Sequence, residues 1–351
     1  MLLFKGERII SSLQEDLSKV DSLIAEGNDT GARDILLQLN KEDEIFDITS
    51  FRLGEVYNRL GDPQKSYQYH TQAFKRNNSL AKKILPSNHA NFQYIYKFDE
   101  EIFIKNCPIC HQKGYAYKVF NMINSNGFSI GFNPIRIWMK CDSCHHIFAF
   151  NFPKKLEKIL QTDVKDYYVN EEVINKLWLF GKTISNIKQY TRGNDLLEIG
   201  VGAGGLIAVA KEMGFNVEGI EIRPAYAEAV SNKFDIPIEA TSFENFHTEA
   251  QYDVICMGDV LEHLTNPIES LEKVYQLLKI DGLVWISTPN FESAYSNFIG
   301  DEDAMWRICE HINYFSFQSL HNVLRKLGFK VIDYQVSSFY KGSMEVIAKK
   351  I

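Results

Sequence analysis

The chain has 351 residues, 45% of them apolar and 24% charged, enough for two or three ordered domains at about 150 residues each. That balance excludes a long disordered or low-complexity protein. A formal charge of −7 gives no global attraction for a phosphate backbone, so no nucleic acid is expected as substrate.

Met1-Leu2-Leu3-Phe4 runs straight into Lys5, Gly6 and Glu7, which leaves no room for the apolar core of a signal peptide. No run of about 18 apolar residues follows, so no membrane span is expected and a cytoplasmic protein is predicted. The first hundred residues carry helix-length apolar spacing from Ser11 to about Ala90. Between Phe51 and Phe74, Leu53, Gly54, Tyr57, Gly61, Ala73 and Phe74 resemble a tetratricopeptide repeat, with Gly61-Asp62-Pro63 as the turn. A step of 34 residues back from Gly61 lands on Gly27, and from Ser66 on Ala32, so a weaker copy is expected around Asp16 to Asp47. Two repeats are fewer than the three or so that make a stable stack, so residues 1–100 are expected to lean on another domain or subunit. Scaffolding or homodimerisation is the plainer use of such helices, and docking a peptide or protein partner is the alternative.

Four of the six cysteines form two Cys-x-x-Cys pairs, Cys107/Cys110 and Cys141/Cys144. Zinc takes four soft ligands in a tetrahedron, and each pair offers two thiolates from one tight turn. A closed, structural Zn2+ site in a small ribbon over residues 101–153 is predicted, with His111, His145 and His146 as neighbouring donors. Redox chemistry is disfavoured because neither pair sits between a strand and a helix. From Asn106 to Pro153 the segment resembles a zinc-binding domain that precedes a group of bacterial methyltransferases acting on sugars. Residues 154–190 read as a helical linker in which Tyr167 and Tyr168 are packing residues or reach a pocket.

Over residues 191–351 strand-like and helical segments alternate. The strands are expected at 195–199, 217–222, 236–239, 252–257, 283–288, 330–337 and 344–349, with helices at 206–213, 225–233, 268–278 and 317–327. Short apolar strands between amphipathic helices mean a sheet covered on both faces. Ligands on such a sheet bind beyond the carboxyl ends of its strands. The first strand runs into Glu198-Ile199-Gly200-Val201-Gly202-Ala203-Gly204-Gly205, and Glu221 closes the second. Gly200, Gly202 and Gly205 also satisfy Gly-x-Gly-x-x-Gly, so the glycines alone leave S-adenosylmethionine and NAD both open.

Three further features separate them. Glu198 puts a carboxylate where a cationic ligand would want one. Asp259-Val260-Leu261-Glu262-His263-Leu264 with Asn266-Pro267 follows the fourth strand, and Ser287-Thr288-Pro289-Asn290 ends the fifth. Together they resemble the class I S-adenosylmethionine-dependent methyltransferases, in the branch carrying Glu-His and Thr-Pro-Asn, from about Asn194 to Lys350.

The resemblance implies a Rossmann-like α/β sheet of seven strands ordered 3-2-1-4-5-7-6, strand 7 antiparallel. It implies S-adenosyl-L-methionine as cofactor, with Glu198, Gly200, Gly202 and Gly204 on the methionine side and Glu221 on the ribose hydroxyls. Ile222, Ser242 and Phe243 would border adenine, and Met257 and Asp259 would lie near the sulfonium. A neutral oxygen or carbon acceptor must lose a proton, so His263 and His311 are candidate bases. The insertion from Asn290 to Phe317 resembles the family lid, and Asn290, Trp306, Arg307 and Tyr314 are candidate acceptor contacts. The acceptor implied is a small molecule, a sugar or nucleotide-linked sugar. A peptide acceptor docked on the helices and a noncatalytic assembly protein are the alternatives.

Overall fold

The computed structural model describes residues 2–41, 46–97, 100–125, 128, 131–162 and 171–351. Tyr167 and Tyr168 lie outside the described residues.

The N-terminal region holds α1 (Leu2–Ala25), α2 (Asp29–Leu39), α3 (Phe46–Arg59), α4 (Pro63–Arg76) and the short α5 (Ala81–Ile84). Asn28 and Asp62 cap α2 and α4 by accepting the amides of Gly31 and Lys65. Pro63 sits in the first turn of α4, where its missing N–H costs nothing. The absent side chain of Gly54 lets α3 and α4 close up, since a Cβ there would lie 2.5 Å from the His70 ring. Tyr57 stacks on Tyr69 with ring centroids 5.4 Å apart. Among the described residues no helix is long and apolar enough to cross a membrane.

The cysteine-bearing module follows as β1 (Glu101–Phe103), β2 (Gly114–Asn121), β3 (Ile135–Cys141), β4 (Ile147–Ala149) and β5 (Asn151–Pro153). Strands β1 and β5 pair antiparallel. The helices α6 (Leu156–Thr162) and α7 (Glu171–Lys188) lead into the C-terminal half.

That half runs β6 (Asp195–Ile199), α8 (Gly205–Glu212), β7 (Asn216–Glu221), α9 (Pro224–Phe234), β8 (Ile238–Ala240), β9 (Tyr252–Gly258), α10 (Pro267–Leu277), β10 (Leu278–Pro289), α11 (Ala294–Ile299), β11 (Asn313–Tyr314), α12 (Phe317–Lys326), β12 (Phe329–Val336) and β13 (Ser343–Lys350). Seven of these strands form one sheet in the order β12-β13-β10-β9-β6-β7-β8, with β13 antiparallel to both neighbours. One face packs α10 and α12 over Leu197, Ile255, Val284 and Val346. The other packs α7 and α8 over Leu196, Val254, Leu283 and Ile347. This alternation of buried side chains is what a strand covered on both faces requires.

The short strand β11 leaves this half and pairs antiparallel with β4, making a four-stranded sheet ordered β11-β4-β3-β2. Helices α3 to α5, the cysteine module and the segment before β11 therefore share one core, which joins Phe51, Phe74, Leu80, Phe120, Trp138, Trp306 and Tyr314. Helices α3 to α5 thus pack against residues 101–153, while α1, α2 and the other face of α3 close a separate small core around Val20, Ala32, Leu36, Leu53 and Val56.

Candidate functional site

The chain turns sharply after β6, and two of the glycines there are needed for different reasons. Gly200 has φ +75, and a Cβ on it would meet the Val260 methyl at 2.5 Å. Gly202 has φ +53 with nothing within 4 Å, so its bare backbone faces open space. The Gly202 amide donates to Glu221 Oε2 at 2.8 Å, and the Arg223 amide donates to Oε1 at 3.0 Å. Glu221 is buried at the end of β7, yet each oxygen keeps a second lone pair for a ligand hydroxyl.

Glu198, on β6, is buried, and among the described residues its Oε2 has no hydrogen-bond partner. Burial raises its carboxyl well above the usual range, and the nearby Glu221 adds to the rise. A lone buried carboxylate of this kind is stabilised by a cation. The bare backbone at Gly202 leaves room for a ligand, and the orphaned carboxylate oxygen behind it favours a cationic one such as S-adenosylmethionine.

The glycine turn and Glu221 border a cleft of about 1110 Å³ at the carboxyl ends of the parallel strands. Its wall includes Gly200, Gly202, Glu221, Ile222, Ser242, Phe243, Gly258 and Asp259. Of the other expected cofactor residues, Met257 is fully buried in the core, and Gly204, at φ +80, backs onto Val230 as the cap of α8. Glu198, Met257 and Gly204 thus support the wall without forming it. Asp259 is held at φ +54, a left-handed conformation sparsely used by residues other than glycine. Its Oδ1 accepts from Ser287 Oγ at 3.2 Å, and burial pushes its carboxyl up to about 7.

His263 and His311 both reach the cleft, with ring centroids 4.9 Å apart. The Nδ1 of His263 lies 3.0 Å from the Glu310 carbonyl. A carbonyl only accepts, so Nδ1 carries the proton and Nε2 keeps its lone pair. Burial brings His263 down to about 4, and takes His311 well below its usual range. Glu262 completes the group, with Oε2 accepting from Thr288 Oγ1 at 3.0 Å and Oε1 lying 4.0 Å from His311 Nε2. Burial raises the Glu262 carboxyl well above the usual range, with Asp259 adding to it. Glu262 was not singled out from sequence as a site residue, although the Glu-His pair that carried the resemblance contains it.

The four expected acceptor contacts lie elsewhere. Trp306 is buried, stacked on Phe120 and edge-on to Trp138 and Tyr314. Arg307 donates to the Asp301 carbonyl at 2.7 Å and covers the Phe120 ring. Tyr314 donates its hydroxyl to Asp303 at 2.8 Å. Asn290 is buried and accepts the Glu292 amide in a turn. None of the four forms the cleft wall. The aromatic character of this insertion serves the packing of the lid on the cysteine module, because Trp138 and Phe120 offer it an apolar face. The cleft wall also includes Phe152, Lys154, Leu156 and Leu160 from the end of the cysteine module and α6, and Met305 and Ile308 from the segment before β11.

The four thiols meet as expected from their spacing. Sγ atoms lie 3.5 Å apart for Cys107 and Cys144, 3.4 Å for Cys110 and Cys141, and 3.4 Å for Cys110 and Cys144, with all four inside 4.8 Å. A tetrahedral zinc with bonds of about 2.3 Å needs sulfurs about 3.8 Å apart, so the cluster fits that ion. The two turns have the same geometry. His111 and His145 both take φ 60, and each amide donates to the carbonyl of the first cysteine of its pair, at 2.9 and 3.0 Å. His146 is buried against Asn313 instead of joining the thiols.

Residues 167–334 match the family model described as a methyltransferase domain. The chain is 34% identical over 102 residues to the ubiquinone biosynthesis O-methyltransferase of Rickettsia bellii, an alignment covering 27% of this chain and 42% of that protein. It is 33% identical over 109 residues to the protein of the same name from Glaesserella parasuis, covering 28% and 46%. The chain therefore spans less than half the length of these curated relatives. Among solved structures, the plantazolicin methyltransferase BpumL in complex with SAH aligns with a TM-score of 0.44 and 17% identity, over 56% of this chain and 93% of that one.

Proposed function

We propose that the chain is an S-adenosylmethionine-dependent methyltransferase acting on a small molecule, with a structural zinc in the four-cysteine site. The observation that carries this reading is the meeting, at one end of the sheet, of the glycine turn, the Glu221 carboxylate with lone pairs to spare, and the orphaned Glu198 oxygen. Glu221 would take the two ribose hydroxyls, and the Glu198 carboxylate, outside the cleft wall, would favour the cationic methionine end through its charge. Bound there, the donor supplies a methyl on positively charged sulfur. A single drug-sized ligand fills about 300–1,000 Å³, so a cleft of about 1110 Å³ leaves room for an acceptor beside the donor.

The protein's contribution is to hold the acceptor oxygen in line and to receive its proton. His263 is suited to the second task, since its Nε2 lone pair is free and the ring stays neutral above about 4. Polar groups around the cleft, among them Ser125, Lys154, Thr241, Asn245 and Thr265, suit an acceptor rich in hydroxyls. A sugar or nucleotide-linked sugar is the reading this favours, in keeping with the resemblance of the cysteine module. The names of the relatives favour a second reading, a phenolic acceptor.

The test is methyl transfer from labelled S-adenosylmethionine to a nucleotide-linked sugar and, separately, to a catechol. Label on a sugar hydroxyl is expected, and label on the catechol alone would overturn the sugar reading in favour of the second. His263→Ala is expected to lower the transfer rate by about 10²–10⁴-fold while leaving donor binding intact. Because the imidazole must be unprotonated to act, the wild-type rate should fall as pH drops through about 4 and be level above it. An unchanged rate in the variant would remove His263 from the role of base.

A further inference from the structure

The cysteine module touches the histidine pair through one residue that no role above requires. Arg136, on β3, is 1% exposed. Among the described residues its Nε has no hydrogen-bond partner, and its guanidinium lies over the Trp138 ring, 5.5 Å from the centroid. Its two terminal nitrogens donate to main-chain carbonyls, Nη1 to His311 at 2.6 Å and Nη2 to Cys309 at 2.8 Å. Burying a guanidinium without a carboxylate is costly compared with an apolar side chain of the same size. A planar fork, however, fixes two carbonyls at once, which neither an apolar residue nor an ammonium does.

The carbonyls it fixes flank Glu310, whose own carbonyl accepts from His263 Nδ1. Two other ties hold the same stretch to the module. The Ala149 amide donates to the Ile312 carbonyl at 2.8 Å, and His146 Nε2 lies 3.1 Å from Asn313 Oδ1. On the opposite side, the Ile312 amide donates to the Glu262 carbonyl at 2.9 Å. The segment from Cys309 to Asn313 is thus clamped between the module and the Glu-His turn of the methyltransferase domain.

We infer that Arg136 is a positioning residue for the His263–His311 pair, which its fork governs by aiming the Glu310 carbonyl at His263 and so holding the Nδ1–H tautomer with Nε2 free. This deepens the function proposed above, in which His263 takes the acceptor proton. The cysteine module then sets the chemical state of a histidine in the neighbouring domain, beyond lending it stability.

The experiment reads that state directly in the full chain with its metal bound, by nitrogen resonances of isotope-labelled histidine together with amide hydrogen exchange. In the wild-type protein His263 should show a protonated Nδ1 and a bare Nε2. In Arg136→Met the Nε2–H tautomer should appear, and amides from Cys309 to Asn313 should exchange at least about tenfold faster through loss of two charge-assisted hydrogen bonds. Metal content and affinity for S-adenosylhomocysteine should stay at wild-type values. Arg136→Lys, with its charge kept but no planar fork, should give a smaller tautomer change, and it carries the same readout if the methionine variant does not fold. Wild-type histidine signals in a folded variant would overturn the inference. Failure of the wild-type protein to bind S-adenosylhomocysteine would instead count against the proposed function, leaving the tautomer result to stand separately.

Discussion

Glu221→Ala should weaken S-adenosylmethionine binding by at least about 100-fold, measured by calorimetric titration against a wild-type affinity of micromolar order. In the proposed pose two ribose hydroxyls bond a charged carboxylate, and each such bond is worth about 1.5–3 kcal/mol. The variant also removes the acceptor for the Gly202 and Arg223 amides, so the turn that must lie against the donor loses its anchor. His263→Ala should change the same titration little, since that ring is held by the Glu310 carbonyl and, in the proposed pose, meets the acceptor rather than the donor. Equal affinity in wild-type protein and Glu221→Ala would contradict the ribose contact.

If the four thiols hold the proposed zinc, Cys107→Ser should abolish zinc binding and unfold the cysteine module. Four thiolates around zinc contribute on the order of 10–16 kcal/mol in small metal-folded modules. A strand set as short as β1 to β5 has no comparable reserve of its own. Because α3 to α5 and Trp306 share its core, the loss should spread beyond the ribbon as a lower thermal midpoint for the N-terminal half. Metal analysis and hydrogen exchange across residues 101–153 check this. A metal-free wild-type protein with the same midpoint would contradict a structural zinc.

The elements of the C-terminal half were legible because each strand buried on both faces is written as an apolar run. Leu196, Leu197 and Ile199 mark β6, and Val254, Ile255 and Cys256 mark β9, within a residue or two of the observed ends. The third strand was expected from Ile236 but begins at Ile238, since Pro237 has no amide to give the ladder. The cleft residues were legible where a motif fixes the backbone, as at Gly200, Gly202 and Glu221. The lid was not, because a Trp or Tyr reads alike whether it meets a ligand or another ring. Only the distant Phe120 and Trp138 decide that Trp306 and Tyr314 are packing residues. Likewise β11 is two residues long and exists through its pairing with β4, more than 160 residues earlier, so nothing local announces it. Arg136 was missed for the same reason, its partners being carbonyls of a segment far along the chain.

The identity of the cofactor is decided by paired titrations of the full chain with S-adenosylmethionine and with NAD under the same conditions. Saturable binding of S-adenosylmethionine at micromolar concentration, with none for NAD, is the expected result, because the buried Glu198 carboxylate beside the glycine turn favours the cationic methionine end and repels the pyrophosphate that NAD would bring there. Saturation by NAD with no uptake of S-adenosylmethionine would contradict it.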